Sequence, residues 1–437
     1  MINIAEFWHT VIQPRHLLRG WQANRAATIG NMDVTLPLAL LGGLSPATFM
    51  RRHWQKKPLL VRQAWPGICP PISRAALFEL ASAEGVESRL LTRFGDAPAG
   101  STATRSATQS ATPSTAKSAT KSATPSAVRL RLRHGPFGRR ALPPVKRPNW
   151  TLLLQGLDLH CQAAHELLQA FRFMPEARLD DLMISWASDG GGVGPHLDSY
   201  DVFLLQVQGQ RRWRIGPVAD RRLVPGLPVR ILAHFEPTEE WLLAPGDMLY
   251  LPPQWGHDGT AEGECMTCSI GFRAASAGTL AQELLHQIAD GLESPESADA
   301  LYRDAGQPAT STPGRLPVGL RQFAEKALQR ALRDPRTLDH ALGQLLTEPK
   351  PQVWFDAGTP LASESGARLD RRSRMLYDDH HVFINGEAFV AGGRDARLMQ
   401  QLADQRQLPA AAVARLSGPA RALLGDWADA GWVHSVV

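Results

Sequence analysis

Cysteine is scarce: Cys69, Cys161, Cys265 and Cys268 are the four thiols in 437 residues. A chain this long builds its own core, so they form no disulfide framework, and a reducing, cytoplasmic setting is expected. Cys265-x-x-Cys268 has the spacing of half a zinc site, but no second pair accompanies it. Residues three apart on a strand also point to opposite faces, so both are expected to be packing residues. Long apolar runs are missing too. Nothing approaches the roughly 20 residues that span a bilayer, and the N-terminus lacks an apolar core followed by a small-residue cleavage site, which predicts a soluble, unexported protein. Acidic residues are absent from about 97–148, where ten lysines and arginines fall.

What is present is ordinary in bulk, with 43% hydrophobic and 20% charged residues, and the length asks for two or three packed units. The formal charge of +5 is mild, and a solvated surface accounts for it as readily as an acidic partner does. Its distribution says more. Between about 99 and 128 the triplet Ser-Ala-Thr recurs at Ser106, Ser110, Ser118 and Ser122, in a composition too polar to offset its ordering entropy. That insertion reads either as a tolerated loop or as a flexible basic arm drawn to RNA or a ribosomal surface. Residues 1–31 read as an N-terminal extension ahead of Met32.

Periodicity divides the remainder. Leu36 to Val61 suggests a strand, a helix capped by Ser45 with Pro46 at its first position, and a second strand. Residues 74–83 form a short amphipathic helix, and Arg129 to Arg147 alternate as if returning to the fold. From Asn149 to about Ser276, short strands separated by Gly and Pro indicate a barrel or sandwich, with DVFLLQV and RRWRIGP joined by a turn at Gln208–Gln210. Residues 277–348 turn helical with apolar spacing of three and four, as in an oligomer interface. Residues 349–437 place a strand pair around Asn385-Gly386 ahead of two helical stretches, a pattern that fits a small winged helix. It lacks a dense basic recognition helix.

The informative stretch runs from Ser185 to Gly216. His196 and Asp198 lie two apart, so on a strand both leave the same face, and His257 follows a strand and a Pro-Pro turn that bring it back across the barrel. Two imidazoles and one carboxylate form the facial triad that leaves positions of an octahedral iron(II) open. A lone His-x-Asp is a weak signal. Here a glycine-rich approach precedes it and GDMLYLPPQWGH supplies a second cupin-like motif. On the following strand Arg211 shares a face with Trp213, and its fork suits a carboxylate. Ser185 and Thr267 are placed to add hydroxyls.

The segments RHWQKKPLLV, HGPF, DDLMISWASDGGGVGPHLDSYDVFLLQ, RRWRIG, PGDMLYLPPQWGHDG and SIGFRA resemble the bacterial ribosomal oxygenases, a JmjC-type cupin family, over about residues 36–437. The resemblance implies a mainly β catalytic core, a double-stranded β-helix over 32–276, followed by a helical dimerisation region over 277–348 and a winged helix over 349–437. It implies iron(II) on His196, Asp198 and His257, 2-oxoglutarate on Arg211 and Ser185, O2 as co-reactant, and β-carbon hydroxylation of an arginine in a large-subunit ribosomal protein by a homodimer. An arginine substrate would need a carboxylate and an aromatic wall, for which Asp189 and Tyr200 are the candidates. The alternatives are a histidine-directed ribosomal hydroxylase or a demethylase on the same fold, a cupin isomerase, which has no use for Arg211, and a non-catalytic ribosome-assembly or RNA-binding factor.

Overall fold

The computed structural model describes residues 32–94, 129–292, 301–305 and 308–436; the extension at 1–31 and the Ser-Ala-Thr insertion lie outside the described residues. Contacts divide the chain into two compact units. One takes in the described parts of 34–164 together with 181–271, and the other takes in 165–180 and the described parts of 272–437.

The first unit is built on ten strands: β1 (Leu59–Val61), β2 (Ser88–Phe94), β3 (Arg129–His134), β4 (Trp150–Leu154), β5 (Leu179–Ala187), β6 (His196–Leu197), β7 (Val202–Pro217), β8 (Glu239–Leu243), β9 (Met248–Leu251) and β10 (Trp255–Phe272). Their order is β1-β9-β7-β10-β5-β4-β2-β3, with β6 also pairing β10 and β8 also pairing β7. Neighbours distant in sequence and antiparallel are the wiring of the double-stranded β-helix. The strand alternation does the rest: Ile184 and Trp186, Phe203 and Leu205, and Trp213 and Ile215 are all buried.

Two local expectations fail, each at a glycine. The strand expected after Leu36 is absent; Ala39–Leu41 make a single 3-10 turn, because Gly42 and Gly43 at φ +66° and +82° reverse the chain ahead of α1 (Pro46–Arg52). That helix starts as its sequence predicts, the Ser45 hydroxyl accepting the Thr48 amide at 3.2 Å. The turn expected at Gln208–Gln210 does not reverse the chain either, and β7 runs through it as one strand of 16 residues. Its first half pairs with β9, its second half with β8, and β10 lies along both. Gly209 absorbs the register shifts in β10 between Glu262 and Thr267: it sits at φ +62°, and a Cβ there would lie 2.1 Å from the Glu264 carbonyl oxygen. A glycine between two apolar runs marks a bulge and a turn alike; the continuous partner strand decides which forms.

An aromatic group locks the N-terminal segment to the sheet. Phe49 meets Tyr250 edge-on with ring centroids 4.9 Å apart, and Trp54 stacks on the same Tyr250 at 5.9 Å. The Tyr250 hydroxyl donates to Asp201 at 2.6 Å and accepts from the Gln55 amide at 2.8 Å, while the Gln55 side chain donates to the other Asp201 oxygen at 3.1 Å. The RHWQ stretch therefore pins the segment just after Asp198.

In the second unit lie α2 (Ala277–Leu292), α3 (Val318–Ala331) and α4 (Pro335–Thr347), followed by a winged helix. Its two three-stranded sheets comprise β11 (Gly366–Leu369), β12 (Met375–Tyr377), β13 (His381–Ile384), β14 (Glu387–Val390), β15 (Gln407–Leu408) and β16 (Val433–Val436). The β13–β14 hairpin turns at Asn385-Gly386, both at positive φ as a type I′ turn requires. Leu398, Leu402, Leu424, Trp427 and Val433 fill the core between the strands, α5 (Gly393–Gln405) and α6 (Gly418–Asp429). No described helix is long and apolar enough to cross a membrane.

Replacing Gly209 by Ala combines a disfavoured φ with a backbone clash, and should destabilise the protein by about 2–3 kcal/mol. The check is the denaturation midpoint; an unchanged midpoint would show that the β10 bulge adapts freely.

Candidate metal and cosubstrate site

Strand register assembles the metal ligands. His196 on β6 lies directly opposite His257 on β10, and Leu197 opposite Gly256. The two imidazole centroids are 4.2 Å apart. Asp198 follows β6, and its backbone carbonyl accepts the Gln254 amide at 2.9 Å, tying it to the Pro252-Pro253 turn that leads into β10. Its Oδ2 comes within 3.5 Å of His257 Nε2. Ligand atoms of all three residues fall within 4.8 Å of one another, so the structure brings together the three residues expected from sequence.

Hydrogen bonding fixes which ring nitrogen is available. His196 Nδ1 donates to the Gly194 carbonyl at 2.8 Å and His257 Nδ1 to the Trp255 carbonyl at 3.0 Å. A carbonyl only accepts, so each neutral ring leaves its Nε2 lone pair for a metal. Burial, reinforced by His257, depresses the His196 pKa to about 4, which keeps that ring neutral at physiological pH. Burial works against ionisation of Asp198, yet hydrogen bonding and charge from His257, with further help from His196 and Tyr200, hold its carboxyl below the usual range. Two lone pairs and a carboxylate converging in a largely dry pocket repel one another. A divalent cation resolves that, and the N,N,O donor set with coordination positions to spare fits iron(II).

Arg211 is 4% exposed on β7. Its Nη1 donates to the Ser185 hydroxyl at 3.1 Å and its Nη2 to the Gly259 carbonyl at 3.2 Å, and the guanidinium lies 5.1 Å from the Trp213 ring centroid. Its Nε is buried and has no partner, and no carboxylate among the described residues forms an ion pair with it. Desolvating a guanidinium this way is costly unless an anion enters. Gly259 makes the room: a Cβ there would lie 2.8 Å from Arg211 Nε and 2.7 Å from the Trp213 ring. The buried, unpaired guanidinium fits one carboxylate of a dicarboxylate such as 2-oxoglutarate.

Of the two expected hydroxyls, Ser185 meets Arg211 directly, while Thr267, 1% exposed, donates its own to Gln206. Sequence reasoning missed the residue that connects the cradle. Gln206 is fully buried; its Oε1 accepts the Thr267 hydroxyl at 2.8 Å, and its Nε2 donates to the Gln208 carbonyl at 2.8 Å and to the Gly209 carbonyl at 3.3 Å. It therefore clamps the bulge that turns Arg211 inward and orients a cradle hydroxyl together. The available signal was one amide inside the apolar run VFLLQV. Cys265 lies beside Gln206 and Arg211, and burial pushes its thiol pKa up. Of the two substrate candidates, Tyr200 is 39% exposed and hydrogen-bonds Asp198, while Asp189 is exposed and accepts the Gly263 amide on Oδ1 at 2.8 Å.

A double-stranded β-helix carrying a His-x-Asp…His triad beside a buried arginine defines a JmjC-type 2-oxoglutarate oxygenase. The JmjC domain family matches residues 166–280, and a ROXA-like winged helix family matches 329–434. The chain is 30% identical over 366 residues to the ribosomal protein uL16 3-hydroxylase of Escherichia coli strain K12, across 80% of this chain and 86% of that protein. It is 32% identical over 248 residues to a probable ribosomal oxygenase of Haemophilus influenzae, across 56% of this chain and 52% of that one. The X-ray structure of E. coli YcfD superposes with a TM-score of 0.72 at 26% identity, covering 90% of this chain and 98% of the other. YcfD in complex with cobalt and 2-oxoglutarate gives 0.70 at 26%, covering 90% and 99%. This chain belongs to the ribosomal oxygenase family of JmjC proteins.

Gln206→Leu leaves the Thr267 hydroxyl and two carbonyls short of partners, and should raise the KM for 2-oxoglutarate roughly tenfold while cobalt(II) affinity stays near wild type. Steady-state kinetics and the cobalt visible spectrum check the two halves. Asp198→Ala should instead weaken cobalt binding on the order of a hundredfold or more, since it removes a ligand rather than a supporting contact.

Proposed function

We propose that this chain hydroxylates the β-carbon of an arginine side chain in ribosomal protein uL16, with iron(II) on His196, Asp198 and His257 and 2-oxoglutarate on Arg211, Ser185 and Thr267. The observation that carries the reading is the pairing of a complete facial triad with a buried arginine that no carboxylate among the described residues meets. Support for the substrate comes from the E. coli relative, whose name gives uL16 as its target and position 3 as the site of hydroxylation.

Iron(II) with 2-oxoglutarate and O2 supplies the oxidising power, coupling decarboxylation to succinate with transfer of one oxygen atom to a C–H bond. The protein's own residues do the positioning. The Nδ1–H bonds to Gly194 and Trp255 fix the tautomer of both imidazoles, so that each Nε2 would be free to hold the metal. The Tyr200 side chain bonds Asp198, holding that carboxylate in place. Arg211, oriented by Ser185 and the Gly259 carbonyl, fixes the far end of the cosubstrate. Buried Trp213 and Ile215 keep water from this end of the barrel. For an incoming guanidinium, Tyr200, which bonds Asp198, is the proposed ring, and Asp189, which accepts the Gly263 amide further along β10, is the proposed carboxylate.

The helical segment is proposed to join two copies. On α3 Leu328 is 63% exposed and Leu332 just beyond it 49% exposed, beside Ala324 and Arg321. Leu328→Lys should shift the protein from dimer to monomer by light scattering, and an unchanged dimer mass would place the interface elsewhere.

Incubation of uL16 with the enzyme, iron(II), ascorbate and 2-oxoglutarate should add one oxygen to an arginine-containing tryptic peptide, and Asp198→Ala should abolish the gain. Asp189→Asn should raise the KM for uL16 without altering that for 2-oxoglutarate. Succinate formation with no modified arginine would overturn the substrate while leaving the oxygenase chemistry standing.

A further inference from the structure

From Arg129 to Pro148 the chain carries seven lysines and arginines and no acidic residue. Topology gives that run a shape. β3 is the terminal strand of the ten-stranded sheet, so one of its edges has no strand beside it among the described residues. Its register opposite β2 sets Arg129 against Phe94, Arg131 against Thr92 and Arg133 against Leu90, which places the three arginines on one face at steps of about 6.8 Å. A fourth cation joins them: the Arg147 guanidinium lies over the Phe94 ring, 5.5 Å from its centroid, and Phe94 is itself 38% exposed. Arg133 lies over Phe137, also at 5.5 Å, with its Nη1 donating to the Ala141 carbonyl.

Spacing sets this edge apart: exposed arginines such as Arg51, Arg315 and Arg333 also lack an ion pair, but only here do three arginines alternate along one described strand. Arg62, Arg74, Arg212 and Arg222 each meet a carboxylate within 2.5–2.7 Å. Among the described residues no carboxylate forms an ion pair with Arg129, Arg131, Arg133 or Arg147, and Arg129, Arg131 and Arg147 are exposed. A row of unneutralised guanidiniums on an open strand edge, with an exposed aromatic ring among them, is suited to a polyphosphate backbone carrying bases that stack.

We propose that this edge is an RNA-binding surface, reading the phosphate backbone without base specificity. A basic polypeptide would be repelled here. The assignment is independent of which residue the enzyme hydroxylates.

The test is fluorescence anisotropy of a short fluorescein-labelled single-stranded RNA of mixed sequence, titrated with the full-length chain over a series of KCl concentrations. Four phosphate contacts predict that log K falls against log salt with a slope of about −3. Combining Arg129→Glu, Arg131→Glu and Arg147→Glu should weaken binding at least about tenfold, while 2-oxoglutarate turnover and the thermal melt stay at wild type. Three results would overturn the proposal: no salt-dependent binding, binding unaffected by the triple variant, or poly-glutamate displacing the RNA as well as unlabelled RNA does. The last would mark the edge as a site for acidic polypeptide.

Discussion

The site depends on one register: His196 opposite His257, across β6 and β10. β6 is two residues long and pairs with no other described strand, so the position of His196 rests on two residues of antiparallel ladder. Long strands stabilise themselves through many pairs; this one is held from its flanks. Upstream, the glycine run 190–192 lies close against β10, with a Cβ at Gly192 falling 2.3 Å from the Gly259 carbonyl oxygen. Downstream, Asp201 is gripped by Tyr250 and Gln55. A one-residue slip would turn His196 to the opposite face, and these anchors oppose it from both sides.

The same β10 segment serves the cosubstrate. His257 and Gly259 are two apart and share a face: the first is a proposed metal ligand, and the second gives up its side chain so that Arg211 and Trp213 can approach. Metal and cosubstrate positions are therefore set by one strand, which limits their independent movement. Gln206 extends the coupling along β7, bonding the bulge carbonyls and Thr267. A site meant to hold two ligands in fixed relation gains from being hung on a pair of long strands, paired on both sides of one bulge, rather than on loops.

Much of this was legible in the sequence. The spacing His-x-Asp, the Pro-Pro turn before His257 and the alternation RRWR placed the ligands and Arg211, because a period of two leaves few choices once a strand is assumed. The winged helix was legible through Asn385-Gly386, since two successive positive φ values suit few residue pairs. Two features were not. The Gln208–Gln210 segment looked like a hairpin because Gly209 serves a bulge as well as a turn, and only the partner strand distinguishes them. Gln206 was hidden because one amide in an apolar run is ordinary, and its importance comes from Thr267, sixty-one residues away, and from carbonyls that no pattern marks. Asp189 was named for its place just before the glycines and Tyr200 for its place just after the ligands; the first accepts the Gly263 amide, away from the triad, and the second bonds Asp198, and neither contact has a sequence signature.

Charge explains why the two ligands belong together. Without them the pocket holds one carboxylate, Asp198, and one guanidinium, Arg211, both largely withdrawn from water. Adding a divalent cation alone leaves two positive charges in excess, and adding a dicarboxylate alone leaves two negative. Adding both restores neutrality, with each new charge near an opposite one. In a medium that screens poorly, that balance favours joint over separate occupancy. The protein supplies one charge of each sign and keeps other carboxylates away from Arg211, so its unpaired Nε is the feature that selects an acid as the second ligand.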